Sequence, residues 1–160
     1  MFYYWEWNNH KSTFVVRFNL YPCSLQENYR SLREVFAAKT DVFLVCFSVT
    51  DPETLEHAQT SWLEEIRSLG PDTPFLLVGT KTDLRVKPEV IKRLKDADSE
   101  PVSTLSGIKI AKRLGALEYV ECSARELVGV REIFSTVALV TSPNFNKKGG
   151  KRKAEHCLVS

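Results

Sequence analysis

The sequence predicts an α/β fold in which a mostly parallel sheet is covered on both faces by helices. Two continuous apolar runs, "VFLVCF" (42–47) and "PFLLVG" (74–79), are bounded by polar turns, the pattern of strands buried on both faces. Stretches with apolar residues at helical spacing lie between and after them, so strands and helices alternate as in crossover-connected parallel sheets. With 160 residues, 43% apolar and 26% charged, one globular domain with its own core suffices.

In chain order, Phe2, Tyr3, Tyr4, Trp5 and Trp7 crowd together without a period, and the sequence assigns them no element. Phe14, Val16, Phe18 and Leu20 alternate with Val15, Arg17, Asn19 and Tyr21, which predicts a half-buried strand. After the strand at 42–47, Asp51 can cap a helix with Pro52 at its first position. Leu55, Ala58, Trp62, Ile66 and Leu69 then recur at helical spacing until Gly70, predicting one crossover helix. "PEVIKRLKD" inside the charged stretch 86–100 predicts a short helix, and "GIKIAKRLG" (107–115) a helix with a glycine stop. "LEYVEC" reads as a strand, and 128–140 as the last helix, with Ile133, Phe134 and Val137 facing inward.

A net charge of +2 is too small to make the whole surface attract nucleic acid, so no nucleic-acid partner is expected. No apolar run approaches the roughly 20 residues of a membrane-spanning helix, and "MFYYWEWNNH" lacks a basic n-region and a small-residue cleavage site. The expectation is a chain neither exported nor spanning. Cysteines 23, 46, 122 and 157 form no CxxC pair and suggest reduced, mostly buried thiols, without disulfides. Histidines 10, 57 and 156 share no ligand spacing with them, and no metal site is expected from these residues.

The stretch "VGTKTDLR" (78–85) carries the chemistry. Guanine presents adjacent N–H donors at N1 and N2, and a fixed carboxylate such as Asp83 accepts both, while the stem of Lys81 can lie along the base. "ECSA" (121–124) follows the next predicted strand, so the Ala124 amide can reach guanine O6 and Ser123 can brace the loop. Both loops then lie at the carboxyl ends of parallel strands, where open α/β sheets bind ligands. A lone Thr-Lys-x-Asp is more often an ordinary polar turn; the second loop in the right place reverses those odds.

With "QENYRSLR", "TDVFLVCFSVTDPETLEHAQTSWLEEI", "TPFLLVGTKTDLR", "ECSA" and the final "CLVS" in order, the chain resembles a small GTPase of the Rho family from about residue 26 onward. The resemblance implies a P-loop NTPase-like three-layer sandwich, a guanine-nucleotide-dependent switch in signal transduction, and GTP or GDP with Mg as ligands. It puts Thr80, Lys81, Asp83, Leu84, Ser123 and Ala124 at the nucleotide and Gln26 at the catalytic position. It also makes 26–33 a segment for Rho regulators or effectors, and 87–99 the extra helix of Rho proteins.

Departures qualify that reading. A phosphate cradle of the form GxxxxGK[ST] needs glycines and a lysine. No glycine precedes Gly70, and Pro22 and Leu25 stand where the family's DxxG has its aspartate and glycine. The expected organisation is an atypical segment 1–25, an N-terminally truncated GTPase-like domain 26–142, and a tail 143–160. Base contacts of about 1 to 3 kcal/mol each, set against association entropy, imply millimolar nucleotide affinity at best, and Gln26 then has no γ-phosphate to serve. In the family a further strand lies between those matched by 14–20 and 42–47, so two apolar edges are expected to lack their neighbour. The aromatic N-terminus could fill that gap, but its short connection to Phe14 favours a hairpin.

The tail "KKGGKRKAEHCLVS" joins Lys147, Lys148, Lys151, Arg152 and Lys153 to Cys157 in a C-a-a-X pattern for prenylation, farnesyl being favoured by the terminal serine. The expectation is a chain at the cytoplasmic face of the cell membrane, or in the cytoplasm. Three readings stay open: a working switch, a nucleotide-free lipid-anchored interaction protein, and an unstable truncated product.

Overall fold

The computed structural model describes residues 2–9, 12–20 and 30–141. Strands β1 (Phe2–Asn9) and β2 (Ser12–Asn19) form an antiparallel hairpin in register from Phe2↔Asn19 to Asn9↔Ser12. The N-terminal aromatic run is therefore a strand, and its short connection to the next makes the pairing antiparallel. β3 (Phe43–Ser48), β4 (Phe75–Thr80) and β5 (Tyr119–Glu121) form a separate parallel sheet in the order β3-β4-β5. Among the described residues no ladder joins β2 to β3. The hairpin meets the rest through Phe18, 7% exposed, whose ring lies edge-on to Phe134 at 5.2 Å between centroids.

β4 is central, and its side chains divide by the period of two. Leu77 joins Val45, Phe47 and Val49 against Ala58 of α2 (Pro52–Gln59), Leu63 and Ile66 of α3 (Ser61–Leu69) and Ala111 of α5 (Thr104–Leu114). Leu76 and Val78 join Cys122 against Ile133 of α6 (Val130–Val140), with Val137 half-buried beside them. Two core layers, one on each face of the sheet, make the three-layer sandwich. α1 (Arg30–Ala37) joins the first layer's helices through buried Arg33, whose Nε donates to Glu65 Oε1 at 2.8 Å.

Three sequence expectations need correction. The single crossover helix is two, α2 and α3, broken at Thr60 with φ −110 and ψ −88. The Thr60 hydroxyl donates to Glu56 O at 2.8 Å, the back-bond by which Ser and Thr bend helices. Asp51 sits at the N-cap of α2 without a side-chain capping bond. Thr54 ties that corner instead, accepting from Ser48 N–H at 3.0 Å and donating to Asp51 O at 2.7 Å. Finally, Cys122 is buried but Cys46 is exposed. Protein still crowds its sulfur: burial, then the neighbouring Cys122, push the Cys46 thiol up to about 11, and burial also raises Cys122. Neither thiol is an activated nucleophile. Cys23 and Cys157 lie outside the described residues.

α4 (Pro88–Asp96) covers "PEVIKRLKD", and α5 ends at Gly115 in the left-handed region, φ 80. α5 begins at Thr104 rather than 107, because the Ser103 hydroxyl caps it by accepting from Ser106 N–H at 3.2 Å. α6 starts at Val130 rather than 128, after Gly129 at φ 73. No helix among the described residues is long and apolar enough to cross a membrane.

Candidate functional site

The carboxyl ends of β4 and β5 put the two sequence-predicted loops side by side. Thr80 closes β4, and its hydroxyl donates to Phe47 O at 2.9 Å, anchoring the loop start to β3. Lys81 then takes the left-handed conformation, φ 60 and ψ 38, and exposes its side chain. This reversal turns the chain into a short 3-10 turn (Thr82–Leu84) that sets half-buried Asp83 against the second loop. Leu84 N–H donates back to Lys81 O at 3.0 Å, closing the turn.

From the other loop, Ser123 is 1% exposed, and its hydroxyl donates to Asp83 Oδ1 at 2.7 Å while accepting from Glu126 N–H at 3.0 Å. The Thr82 amide donates to Cys122 O at 3.3 Å, a second link between the loops. Ala124 is exposed, and its amide has no acceptor among the described residues. One corner of the sheet's carboxyl edge thus carries an oriented carboxylate, an exposed lysine side chain and, on the second loop, the exposed Ala124. Such a set suits a flat heterocycle with adjacent donors and an acceptor.

Beneath this corner lies a group that the motifs did not single out. Arg85 Nη1 and Nη2 donate to the two oxygens of Glu121 at 2.9 and 2.5 Å, and its Nε donates to Val102 O at 3.1 Å. Glu121 also accepts from the Tyr119 hydroxyl at 2.7 Å and from Thr104 Oγ1 at 3.1 Å. Tyr119 fits because Gly79 and Gly107 lack side chains; a Cβ at either would collide with its ring or hydroxyl. Burial opposes the Glu121 charge, but the hydrogen bonds of Arg85 and Tyr119 and the Arg85 charge outweigh it, holding the carboxyl below its ordinary value. Burial first, then the bond to Glu121, raise the Tyr119 hydroxyl, which stays a donor across the working range.

A group whose folded pKa is depressed stabilises above its unfolded value and loses that contribution as pH falls through the folded one. Glu121→Gln is therefore expected to be less stable than the unaltered chain at neutral pH. The gap in urea midpoint should narrow as pH falls below the ordinary glutamate value of 4.5. A gap constant between pH 7 and acid would show that ionisation of Glu121 carries no stability.

Gln26 and residues 147–160, including Cys157, lie outside the described residues, as do 26–29 of the segment 26–33. Residues 30–33 open α1, which exposes Leu32 and Val35 on its outer side. Among the described residues no three His, Cys, Asp or Glu side chains gather to hold a metal.

A model of the Ras family matches residues 8–142. The GTP-binding protein RHO1 of Candida albicans is 37% identical over 144 residues, covering 90% of this chain and 71% of that protein. The GTP-binding protein rho1 of Schizosaccharomyces pombe is 34% identical over 148 residues, covering 90% and 73%. A match running from the hairpin through α6, with relatives of one kind across nine-tenths of the chain, is more than a shared architecture: the chain belongs to the Rho family of small GTPases.

Proposed function

We propose that these 160 residues form a Rho-type signalling protein that reads the guanine base weakly and does not itself hydrolyse GTP. The observation that carries the base reading is the 2.7 Å bond from Ser123 Oγ to Asp83 Oδ1, which orients one carboxylate from two separate loops. Asp83 accepts from guanine N1–H and the 2-amino group, the Lys81 stem lies against the base, and the Ala124 amide donates to O6. Thr80 and Leu84 shape the loop around them. Phosphoryl transfer depends on a phosphate cradle and its lysine, and no GxxxxGK[ST] occurs in this sequence. Gln26 can orient water only against a γ-phosphate held by such a cradle.

Binding through the base alone gives millimolar affinity at best. Titrating the full chain with a fluorescent GTP analogue and magnesium is expected to show no submicromolar site. Guanosine should bind with millimolar affinity, and Asp83→Ala should abolish that binding. Submicromolar GTP binding that Asp83→Ala removes would overturn the proposal and restore a working switch.

A second reading is favoured by the tail and α1: a nucleotide-independent interaction protein held at the cytoplasmic face of a membrane by a prenyl group on Cys157. Lys147, Lys148, Lys151, Arg152 and Lys153 would add electrostatic attraction to anionic lipid. Exposed Leu32 (51%), within 26–33, and Val35 (58%), just past it on α1, suit a protein partner such as a Rho regulator or effector.

A further inference from the structure

Asp83 faces a mechanical problem. Two hydrogen bonds to adjacent donors on a rigid base demand a carboxylate fixed in both position and tilt. Yet Asp83 stands on a three-residue turn entered through a left-handed lysine, a segment too short to fix itself. Its bond to Ser123 sets one oxygen only. The Thr82–Cys122 bond ties the backbone beside it, but the tilt of the carboxylate calls for a further restraint from outside the turn.

Two residues past Asp83 stands Arg85, and two before Ser123 stands Glu121. Their fork-to-fork pair fixes distance and angle together, which a lysine in place of Arg85 could not do. Every partner of the guanidinium is protein: both Glu121 oxygens and Val102 O. Glu121 is held in turn by the Tyr119 hydroxyl and by Thr104 at the start of α5, and the Tyr119 ring is seated between Gly79 and Gly107. The pair is thus fastened to the sheet and to a helix, while its two members lead directly into the two base-facing loops.

We propose that Arg85 and Glu121 are a positioning pair that sets the register of the 80–85 and 121–124 loops, and so the placement of Asp83 and Ala124 against a guanine edge. The part concerning guanine rests on the proposed function; the part concerning loop register does not.

The test uses the full 160-residue chain with Arg85→Lys and Glu121→Gln and reads amide hydrogen exchange. The Thr82 amide donates to Cys122 O and the Glu126 amide to Ser123 Oγ, so both report the junction of the loops. The Leu77 amide, bonded to Glu118 O, and the Gly70 amide, bonded to Ile66 O, report the fold at a distance. Each variant is expected to speed exchange at Thr82 and Glu126 by roughly tenfold or more beyond any change at Leu77 and Gly70, as for local opening. Equal acceleration at all four amides would show that the pair only supports the fold, and no acceleration would show that it restrains nothing; either overturns the proposal.

A second measurement addresses the base. Inosine lacks the 2-amino group that Asp83 would bind, so ligand-observed NMR of guanosine against inosine reads the placement of that carboxylate. The unaltered chain is expected to prefer guanosine, and Arg85→Lys to lose the preference. Retention of the preference in Arg85→Lys would overturn the positioning role at the base. If the unaltered chain shows no preference, the base reading itself falls, and loop-selective exchange alone decides whether Arg85 and Glu121 set the register.

Discussion

Leu77→Ala is expected to lower the stability of the chain by about 3 to 5 kcal/mol, enough to unfold much of it, and Leu76→Ala by about 2 to 3 kcal/mol. Both side chains are 0% exposed and neighbour one another on the central strand β4, so burial does not separate them. What separates them is the ability of each site to collapse. Leu77 faces the layer closed by α2, α3 and α5, with buried Phe47, Leu63 and Ile66 around it, and a cavity there persists. Leu76 faces the layer closed by α6, where half-buried Leu44 and Val137 can move into the space. A domain stable by about 5 to 15 kcal/mol has little margin for the larger loss. Urea denaturation of the two variants and of Leu105→Ala, whose side chain is 72% exposed, provides the comparison. Leu105→Ala should stay within about 0.5 kcal/mol of the unaltered chain. Equal losses for Leu76→Ala and Leu77→Ala would show that the two layers are equally rigid.

Those two layers were legible in advance because the strands at 42–47 and 74–79 are apolar on both faces, which only a covered parallel sheet explains. The helix at Pro88–Asp96 was also legible, since Pro at its first turn and the spacing of Ile91 and Leu94 agree. The break at Thr60 was not, because the apolar stripe from Leu55 to Ile66 continues across it, and only the hydroxyl back-bond to Glu56 marks the bend. The exposure of Cys46 is a tertiary fact that an apolar run does not contain.

At the candidate site the sequence brought forward residues that would face a ligand and missed those that hold them. Asp83 and Ser123 stand in short motifs, whereas Arg85 and Glu121 are 36 positions apart and look like ordinary surface charges. Their signal was positional: an arginine closing one motif and a glutamate opening the other. Pairing them needs the strand order β4-β5, which places those two motif ends side by side.

On the proposed membrane-anchored reading, Cys157→Ser is expected to move the chain from membranes to the soluble fraction almost completely, because the C-a-a-X pattern would make that sulfur the lipid attachment point. The lipid alone gives marginal, reversible binding, so a second attraction is required. Lys147, Lys148, Lys151, Arg152 and Lys153 supply up to about 1 kcal/mol each near an anionic leaflet, an upper bound that spacing along the tail and Glu155 both reduce. The two contributions multiply in affinity, so removing either should release most of the protein while leaving different residues of binding. Neutralising the five basic residues should leave weak, redistributed attachment that is insensitive to salt, whereas Cys157→Ser should leave only salt-sensitive attraction. Fractionation and imaging of the fluorescently tagged full chain, and of residues 147–160 fused to a fluorescent protein, check this with and without a folded domain. If Cys157→Ser stays on membranes in both settings, the anchor is something other than a prenyl group.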